Sequence, residues 1–393
     1  MSVLPKKKLL SNLLLISAFW FSNALAFEFA DIEAEPNLIT VGDPQDSKYA
    51  NAGDNLRNGV GSIFVGFDEL GGSGFLCTAS AISPNHILTA AHCVTEEDFI
   101  PSVIVFVLNA GQPEPLFLEA SSFTVHPWYP AFLPFYGAFA HGDIAVIELA
   151  EPLPDGIEIY ELYRDTDEFN QEARHYGHGL SGKGNKGATG SSSYFFARTG
   201  LNTYEQNLSP LLGDGIPDQL LSDFDSGGRK HNAMGWWFSS EVRCAPENAN
   251  PPHAQDGQCT TFKDGSYPDF KGFGKSEVGI ASGDSGGPAF INGKIAGVHS
   301  FGFTHRCTGV TNGSDLSCGL NSSYGEMSGD TRVSFHAGFI DYVVSGGAPM
   351  TLVGVPAPLE TTESAVTASD MLSPNGKYFI EGVKSATMRV RIK

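Results

Sequence analysis

The sequence predicts an all-β fold, and two observations support this prediction. From Gly59 onward, short runs rich in β-branched and aromatic residues alternate with Gly, Pro, Asn and Asp turn signals. The pair Asn292-Gly293 stands between two apolar runs, which is typical of a β-hairpin. The chain has 393 residues, enough for one large domain or two ordinary domains with an ample core.

The predicted strands fall into two groups along the chain. The first half contains six candidates, at residues 62–67, 74–82, 86–90, 103–108, 116–125 and 144–149. The second half contains a strand within 173–182 and further strands at 277–280, 289–291, 295–301 and 331–333. The polar, turn-rich residues 27–58 are predicted to be a leader or propiece. Residues 183–268 are predicted to be a long insertion, and 347–393 a C-terminal tail of unknown role.

The first 26 residues have the pattern of a secretory signal peptide. Three lysines at 6–8 precede an apolar stretch at 9–21, and Ala24-Leu25-Ala26 offers a small-residue cleavage site. We therefore expect export and no membrane span after cleavage, with an uncleaved N-terminal anchor as the alternative. Removing this segment changes the formal charge from −20 to −23, since it contains three lysines and no acids. Such a surface repels nucleic acid and anionic membranes.

Three short motifs supply the groups that serine-nucleophile catalysis needs. His92 lies in Thr-Ala-Ala-His-Cys, Asp143 in His-Gly-Asp-Ile-Ala, and Ser285 in Gly-Asp-Ser-Gly-Gly-Pro. A serine hydroxyl is a weak nucleophile at neutral pH, so a base must accept its proton during attack. The last motif also fits the nucleophile elbow of α/β-hydrolases, but there the serine precedes both the acid and the histidine. Here both precede Ser285 and a hairpin follows it, so we reject that alternative.

In this order, the three motifs resemble those of the trypsin/chymotrypsin family of serine proteases. The resemblance implies two six-stranded antiparallel β-barrels, with the active site in the cleft between them and a short C-terminal helix, here at 336–344. The protease domain would span 59–346. His92 would be the general base, Asp143 would orient it and Ser285 would attack. The N–H groups of Gly283 and Ser285 would bind the oxyanion.

Six cysteines in an exported chain predict disulfide bonds, although their number leaves the pairing open. The resemblance implies a bridge between Cys77 and Cys93. The others would then form local bridges, Cys244 with Cys259 and Cys307 with Cys318. Ala281 stands where the family has a cysteine four residues before the nucleophile, so the specificity pocket lacks that bridge.

The resemblance also assigns the specificity pocket. Gly279 occupies the position that is acidic in trypsin-like members, so cleavage after Arg or Lys is not expected. The pocket wall would be Ser300-Phe301-Gly302. His299 stands where glutamate-specific members have a histidine that contacts the substrate carboxylate, assisted by a serine that here is Ser282. A preference for acidic residues at the cleaved position is therefore a hypothesis.

Asp284 corresponds to the acid that pairs with the new amino group when family members are activated. The usual Ile-Val-Gly-Gly is absent from the sequence. Either another N-terminus within 27–58 takes this role, or the oxyanion loop is ordered without one.

The predicted function is a secreted, monomeric serine endopeptidase that acts on proteins or peptides without a cofactor, a metal or a nucleic-acid partner. The alternatives are a non-catalytic binding protein on a protease scaffold and a secreted esterase. Four acids in the predicted insertion could hold calcium: Asp214, Asp218, Asp223 and Asp225. Their spacing matches no EF-hand loop, so we expect a solvated acidic loop instead.

Overall fold

The computed structural model describes residues 39–40, 47–67, 73–95, 101–108, 115–130, 140–188, 197–209, 214–227, 231–234, 243–244, 259–260, 272–273, 277–305, 315–316, 320–347, 380–383 and 390–391. All of them belong to one compact unit, residues 34–391. The predicted signal peptide lies outside the described residues.

The strands in chain order are β1 (Ile39–Thr40), β2 (Val60–Phe67), β3 (Ser73–Ser83), β4 (His86–Thr89), β5 (Val103–Leu108), β6 (Leu116–Val125), β7 (Ala145–Leu149), β8 (Glu172–Gly177), β9 (Gly182–Lys183), β10 (Gly187–Ala188), β11 (Arg198–Thr203), β12 (Gln206–Asn207), β13 (Gln219–Asp223), β14 (Arg243–Cys244), β15 (Cys259–Thr260), β16 (Pro288–Ile291), β17 (Lys294–His305), β18 (Met327–Arg332), β19 (Ile380–Val383) and β20 (Val390–Arg391). The helix α1 spans Val333–Val344.

Six strands close into a barrel. Hydrogen bonding runs β2–β5–β6–β7–β4–β3 and returns from β3 to β2, and every pair is antiparallel. The core contains fully buried side chains such as Ile63, Phe106 and Ile147. Each apolar side chain of this size contributes about 1.5–3 kcal/mol when it is fully buried. These strands are the six predicted in the first half of the chain, with small shifts at their ends.

The second sheet forms a half-barrel. Its strand order is β11–β8–β16–β17–β18–β13–β12, and all these pairs are antiparallel. On the open side, between β11 and β13, the Asn202 side chain donates to the main-chain oxygens of Asp223 and Val278 at 2.8 and 2.9 Å. The double-barrel architecture is therefore confirmed, with one closed barrel and one half-barrel.

Part of the predicted insertion belongs to the second sheet. β11, β12 and β13 lie within residues 183–268, where the sequence pattern predicts no strand. β11 reads Arg-Thr-Gly-Leu-Asn-Thr, and its Gly and Asn weaken the local signal. Pairing with β8 along its whole length overrides that weakness. Conversely, the strand predicted at 277–280 is wrong, because Glu277 makes only an isolated bridge to Leu201.

The turn between β16 and β17 is the hairpin turn that the sequence predicts. Asn292 has φ 51° and Gly293 has φ 78°, and two positive φ values in succession define a type I′ turn. Ile291 pairs with Lys294 across it, so the turn sets the register of both strands.

Residues 47–58 contact the second sheet. Tyr49 is 2% exposed and packs on Val278, while the Tyr176 hydroxyl donates to the main-chain oxygen of Asn55 at 2.8 Å. This part of the predicted leader is integrated into the folded domain, and its role as a propiece stays a prediction.

The C-terminal helix is confirmed. α1 begins at Val333, three residues before the predicted start, and Phe339 and Ile340 pack into the core shared with the first barrel.

In the predicted tail, β19 pairs with β17 and β20 pairs with β3. Within the described part of the chain, no helix combines the length and apolar character needed to cross a membrane.

Candidate active site

His92 lies in a 3₁₀ turn, Ala91–Cys93, just after β4. A disulfide between Cys77 of β3 and Cys93 fastens this turn to the barrel. The backbone N–H of His92 donates to Asp143 Oδ1 at 2.8 Å, and the ring Nδ1 contacts Asp143 Oδ2 at 2.7 Å. Because an ionised carboxylate only accepts hydrogen bonds, we assign the proton to Nδ1. Nε2 is then the nitrogen that can accept a proton from a nucleophile.

Asp143 is held by both sheets. It lies just before β7 and is 2% exposed. From the second sheet, the Ser300 hydroxyl donates to its Oδ2, and the Thr331 hydroxyl donates to its main-chain oxygen at 2.7 Å. The His92–Asp143 pair therefore lies where the two sheets meet.

Two acids from the predicted insertion hold the loop that carries Asp143. His141 contacts Asp218 Oδ1 through Nδ1 at 2.5 Å and Asp214 Oδ2 through Nε2 at 2.8 Å. The N–H of Gly142 donates to Asp218 Oδ2 at 2.9 Å. Burial lowers the pKa of His141, but the bonds to the two carboxylates outweigh burial and raise it to about 9. We therefore expect a charged ring that donates from both nitrogens.

The prediction of a solvated acidic loop is wrong. The side chains of Asp214 and Asp218 are 5% and 0% exposed, and Asp223 and Asp225 are buried as well. The segment carries strand β13 and packs under the Asp143 loop, which encloses its acids. No sequence motif indicated that these acids would meet His141.

Ser285 lies in a tight turn before β16. Gly283 has φ 95° and Gly286 has φ 79°, which glycine adopts without strain. A Cβ on Gly286 would lie 2.0 Å from the Thr89 hydroxyl oxygen, so the close packing of this turn also requires glycine. The N–H of Thr78 donates to the main-chain oxygen of Ser285 at 2.8 Å, which ties the turn to the first barrel.

The predicted base His92 and the predicted nucleophile Ser285 are not hydrogen-bonded to each other in this structure. Among the hydrogen bonds of the described residues, none joins His92 to Ser285, and His92 Nε2 lies 3.9 Å from Cys93 Sγ. Such bonds are often long in unliganded enzymes and shorten when substrate binds. Ser285 lines the same cavity as Ser300, whose hydroxyl contacts Asp143.

Asp284, beside the predicted nucleophile, is held by internal donors. Its Oδ1 accepts the N–H of Gly179 at 2.7 Å, and its Oδ2 accepts the N–H of Ala281 at 2.8 Å. Burial raises the pKa of this carboxyl to about 6, against the attraction of His299 and the two backbone bonds. In this structure, backbone N–H groups of the same domain hold the Asp284 side chain in place.

A cavity of about 260 Å³ opens beside Ser285. The predicted pocket residues Ser282, Ser300, Phe301 and Gly302 line it. Leu180, Ile280 and Leu320 supply further apolar walls. None of the described residues that line the cavity carries a charge. Gly279 lies behind this lining, where an added Cβ would approach Phe224 to 3.0 Å.

His299 is not part of the cavity lining. It is 1% exposed, its Nδ1 contacts Asp330 Oδ1 at 2.9 Å, and its ring stacks on His175 with 5.0 Å between centroids. Burial lowers the pKa of His299, but Asp330 outweighs burial and raises it. The imidazole is already paired with the buried Asp330 carboxylate. This pairing does not support a contact between His299 and an acidic substrate residue.

The other predicted disulfides are only partly within the described residues. Cys244 and Cys259 are backbone partners in the two-stranded sheet of β14 and β15. Cys307 and Cys318 lie outside the described residues. Both of these pairings stay predictions.

A closed barrel joined to a half-barrel, with a His–Asp pair where the two sheets meet, is the architecture expected of a trypsin-like domain. Comparison with known proteins agrees. Residues 52–206 match the family model described as Trypsin, so the resemblance seen in the motifs is confirmed over this stretch. The match includes His92 and Asp143, whereas Ser285 lies beyond it and rests on its own motif and position.

Two curated proteins are similar to parts of this chain. The chain is 31% identical to Serine protease Hayan of Drosophila melanogaster over 114 residues, 28% of this chain and 17% of that protein. It is 34% identical to Brachyurin of Leptuca pugilator over 80 residues, 20% of this chain and 33% of that protein. The chain therefore matches about a sixth and a third of the length of these relatives.

Proposed function

We propose that the protein is a secreted serine endopeptidase that uses His92, Asp143 and Ser285. The observation that carries the proposal is the contact of 2.7 Å between the partly buried His92 and the buried Asp143, next to a cavity that Ser285 lines. This arrangement suits acyl transfer because the acid fixes the histidine tautomer and leaves Nε2 without a proton, so that it can act as a base. The signal-peptide pattern of residues 1–26 supports export.

In the proposed mechanism, Ser285 Oγ attacks the carbonyl carbon of the scissile peptide bond while His92 Nε2 accepts its proton. The negative charge that develops on the carbonyl oxygen is bound by the N–H groups of Gly283 and Ser285. One such donor contributes roughly 3–4 kcal/mol to transition-state stabilisation. His92 then donates the proton to the leaving amine, and water hydrolyses the acyl-enzyme with His92 again acting as base.

We further propose that the residue before the cleaved bond is apolar. The cavity walls from Ile280, Phe301 and Leu320 are apolar, and Gly279 provides no carboxylate for Arg or Lys. This proposal replaces the hypothesis of an acidic preference, since His299 is occupied by Asp330.

A fluorophosphonate probe tests the proposed nucleophile. We expect the purified secreted protein to be labelled on Ser285, and the Ser285→Ala variant to remain unlabelled. Ser345→Ala is the control, because the Ser345 hydroxyl donates to the main-chain oxygen of Tyr342 at the end of α1 and Ser345 does not line the cavity. This variant should be labelled as the native protein is. A folded native protein without label would contradict the proposal and favour a binding scaffold. Turnover of esters without turnover of peptides would favour the esterase.

A further inference from the structure

Behind the specificity pocket, four acidic side chains converge, and we refer to them as the acid cluster: Glu205, Asp223, Asp225 and Glu277. Asp223 ends β13, Asp225 follows two residues later, and Glu277 comes from the segment that leads to the nucleophile turn. Asp223, Asp225 and Glu277 are 2%, 0% and 1% exposed. One carboxylate oxygen from each of these three lies within 4.8 Å of the other two.

Backbone hydrogen bonds hold these carboxylates in place before any ligand binds. Asp223 Oδ2 accepts the N–H of Met234 at 2.8 Å. Glu277 Oε1 accepts the N–H of Asp225 at 2.8 Å, and its Oε2 accepts the N–H of Phe273 at 2.6 Å. Each carboxylate oxygen that accepts one such bond keeps a second lone pair. The oxygens are therefore positioned by the main chain and remain able to bind a cation.

Glu205 supplies a separate indication of a ligand. Glu205 is itself only partly buried, but its side chain lies within hydrogen-bonding distance of the Asp223 carboxylate at the edge of the cluster. Its Oε2 atom is buried and has no hydrogen-bond partner among the described residues. A buried polar atom without a partner destabilises the folded state, and a charged one does so more strongly. A cation among the four carboxylates would supply that partner.

The accumulated negative charge requires compensation. The carboxylates of Asp223, Asp225 and Glu277 are buried within 4.8 Å of one another, and like charges at this distance repel strongly away from water. The cluster is therefore stable only with protons or with a bound positive ion.

We propose that the acid cluster binds one calcium ion. Calcium takes oxygen ligands at about 2.3–2.6 Å and accepts an irregular arrangement of them. The three carboxylate oxygens of Asp223, Asp225 and Glu277 all lie within 4.8 Å of one another, close enough for a single ion to contact all three. Zinc and copper prefer nitrogen and sulfur ligands, which these four residues do not provide.

A cation at this position would stabilise the floor of the specificity pocket. Phe224 stands between Asp223 and Asp225 and packs behind Gly279, which lies two residues after Glu277. Binding both segments to one ion would hold them together. The ion would thus provide a cross-link close to Ala281, where the family's cysteine is missing.

Calorimetric titration of calcium chloride into the chelator-treated full-length protein tests the proposal directly. We expect one calcium per chain and a rise in melting temperature of about 5 °C at a hundredfold excess over Kd. Magnesium at the same concentration should give a smaller rise, because it requires shorter bonds and releases its water reluctantly. Neither measurement depends on protease activity, so it can fail or succeed independently of the proposed function.

Two glutamine variants locate the binding site. Glu205→Gln should weaken calcium binding at least about tenfold. Without calcium it should melt at the same or a higher temperature than the native protein, since one of the crowded charges is gone. Glu326→Gln is the matched control: Glu326 is also buried and accepts the N–H groups of Asn321 and Ser322, but it lies outside the acid cluster. That variant should keep the full calcium-dependent rise.

The proposal is wrong if the native protein binds no calcium and its melting temperature does not change. It is also wrong if Glu205→Gln keeps the native affinity, because calcium would then bind elsewhere. If the variant fails to fold, the titration of the native protein still decides between calcium and retained protons.

Discussion

At the scale of single residues, the hydrogen-bond partner of His299 determines whether this side chain is free to bind substrate. His299 directly precedes the pocket residue Ser300, yet its ring contacts Asp330 and stacks on His175 behind the wall. Ser300 lines the cavity, and its hydroxyl contacts Asp143. The pairing of β17 with β18 is irregular between His299 and Phe301, and at this irregularity Ser300 lines the cavity while His299 does not.

The pocket lining predicts substrate preference. A peptide-library profile should show apolar residues such as Leu or Phe before the cleaved bond. Acidic residues should react about a hundredfold more slowly in kcat/KM, since burying a carboxylate without a partner costs several kcal/mol. His299→Gln should leave this profile unchanged, because His299 is not part of the cavity lining. An enrichment of Glu or Asp that disappears in this variant would restore the hypothesis of an acidic preference.

At the scale of elements, the segment leading into β13 supports the loop before β7. Asp218 contacts His141, the N–H of Gly142 and His336 of α1, at 2.5, 2.9 and 3.2 Å. Burial opposes ionisation of Asp218, but the hydrogen bonds from His141 and His336 outweigh it and lower its pKa. One buried carboxylate therefore joins three elements next to Asp143.

Asp218→Asn should destabilise the protein by about 3–5 kcal/mol, because it removes the charge that compensates a buried imidazolium. Urea unfolding measures this loss. Asp341→Asn is the control, since it breaks a pair with Arg164 in which both side chains are more than half exposed. Such a surface pair contributes about 0–1 kcal/mol. Equal losses in the two variants would contradict the structural role assigned to Asp218.

At the scale of the whole molecule, buried titratable groups set the dependence of stability on pH. The bonds to Asp214 and Asp218 raise the pKa of His141 to about 9, despite burial. The protonated His141 ring therefore stabilises the folded state fully below about pH 6.5, the pKa of a histidine in the unfolded chain. This stabilisation is lost as the pH rises towards 9. Burial raises the pKa of Glu326 to about 8. The folded state holds that proton where the unfolded chain has released it, so stability again falls as the pH rises through this range.

Both groups act in the same direction, so the melting temperature should fall between pH 6.5 and pH 9. A decrease of about 5 °C or more is expected from shifts of this size. Scanning calorimetry at constant ionic strength, with a chelator present, separates this effect from cation binding. Glu326→Gln should reduce the decrease, since glutamine does not titrate. A melting temperature that is constant or rises across this range would contradict the assignment.

The strands of the first barrel could be predicted because their sequence patterns are local. The Cys77–Cys93 bridge could be predicted because the motif around His92 resembles that of a known family. The hairpin at Asn292-Gly293 has the same local origin, since its φ values follow from the two residues themselves. β11 and β13 were not anticipated. Their backbone partners, β8 and β18, are distant in sequence and compensate for weak local preference.

The sequence by itself determined the β class, the strands of the first barrel and the three motifs, because alternation, turn residues and short motifs are written in adjacent positions. Only the tertiary structure decided which acids meet His141, since Asp218 lies 77 residues further along the chain. It also decided that His299 faces Asp330 and that Glu277 joins Asp223 and Asp225. These contacts form when segments that are distant in sequence pack together. The sequence of each segment alone contains no pattern that predicts such a contact.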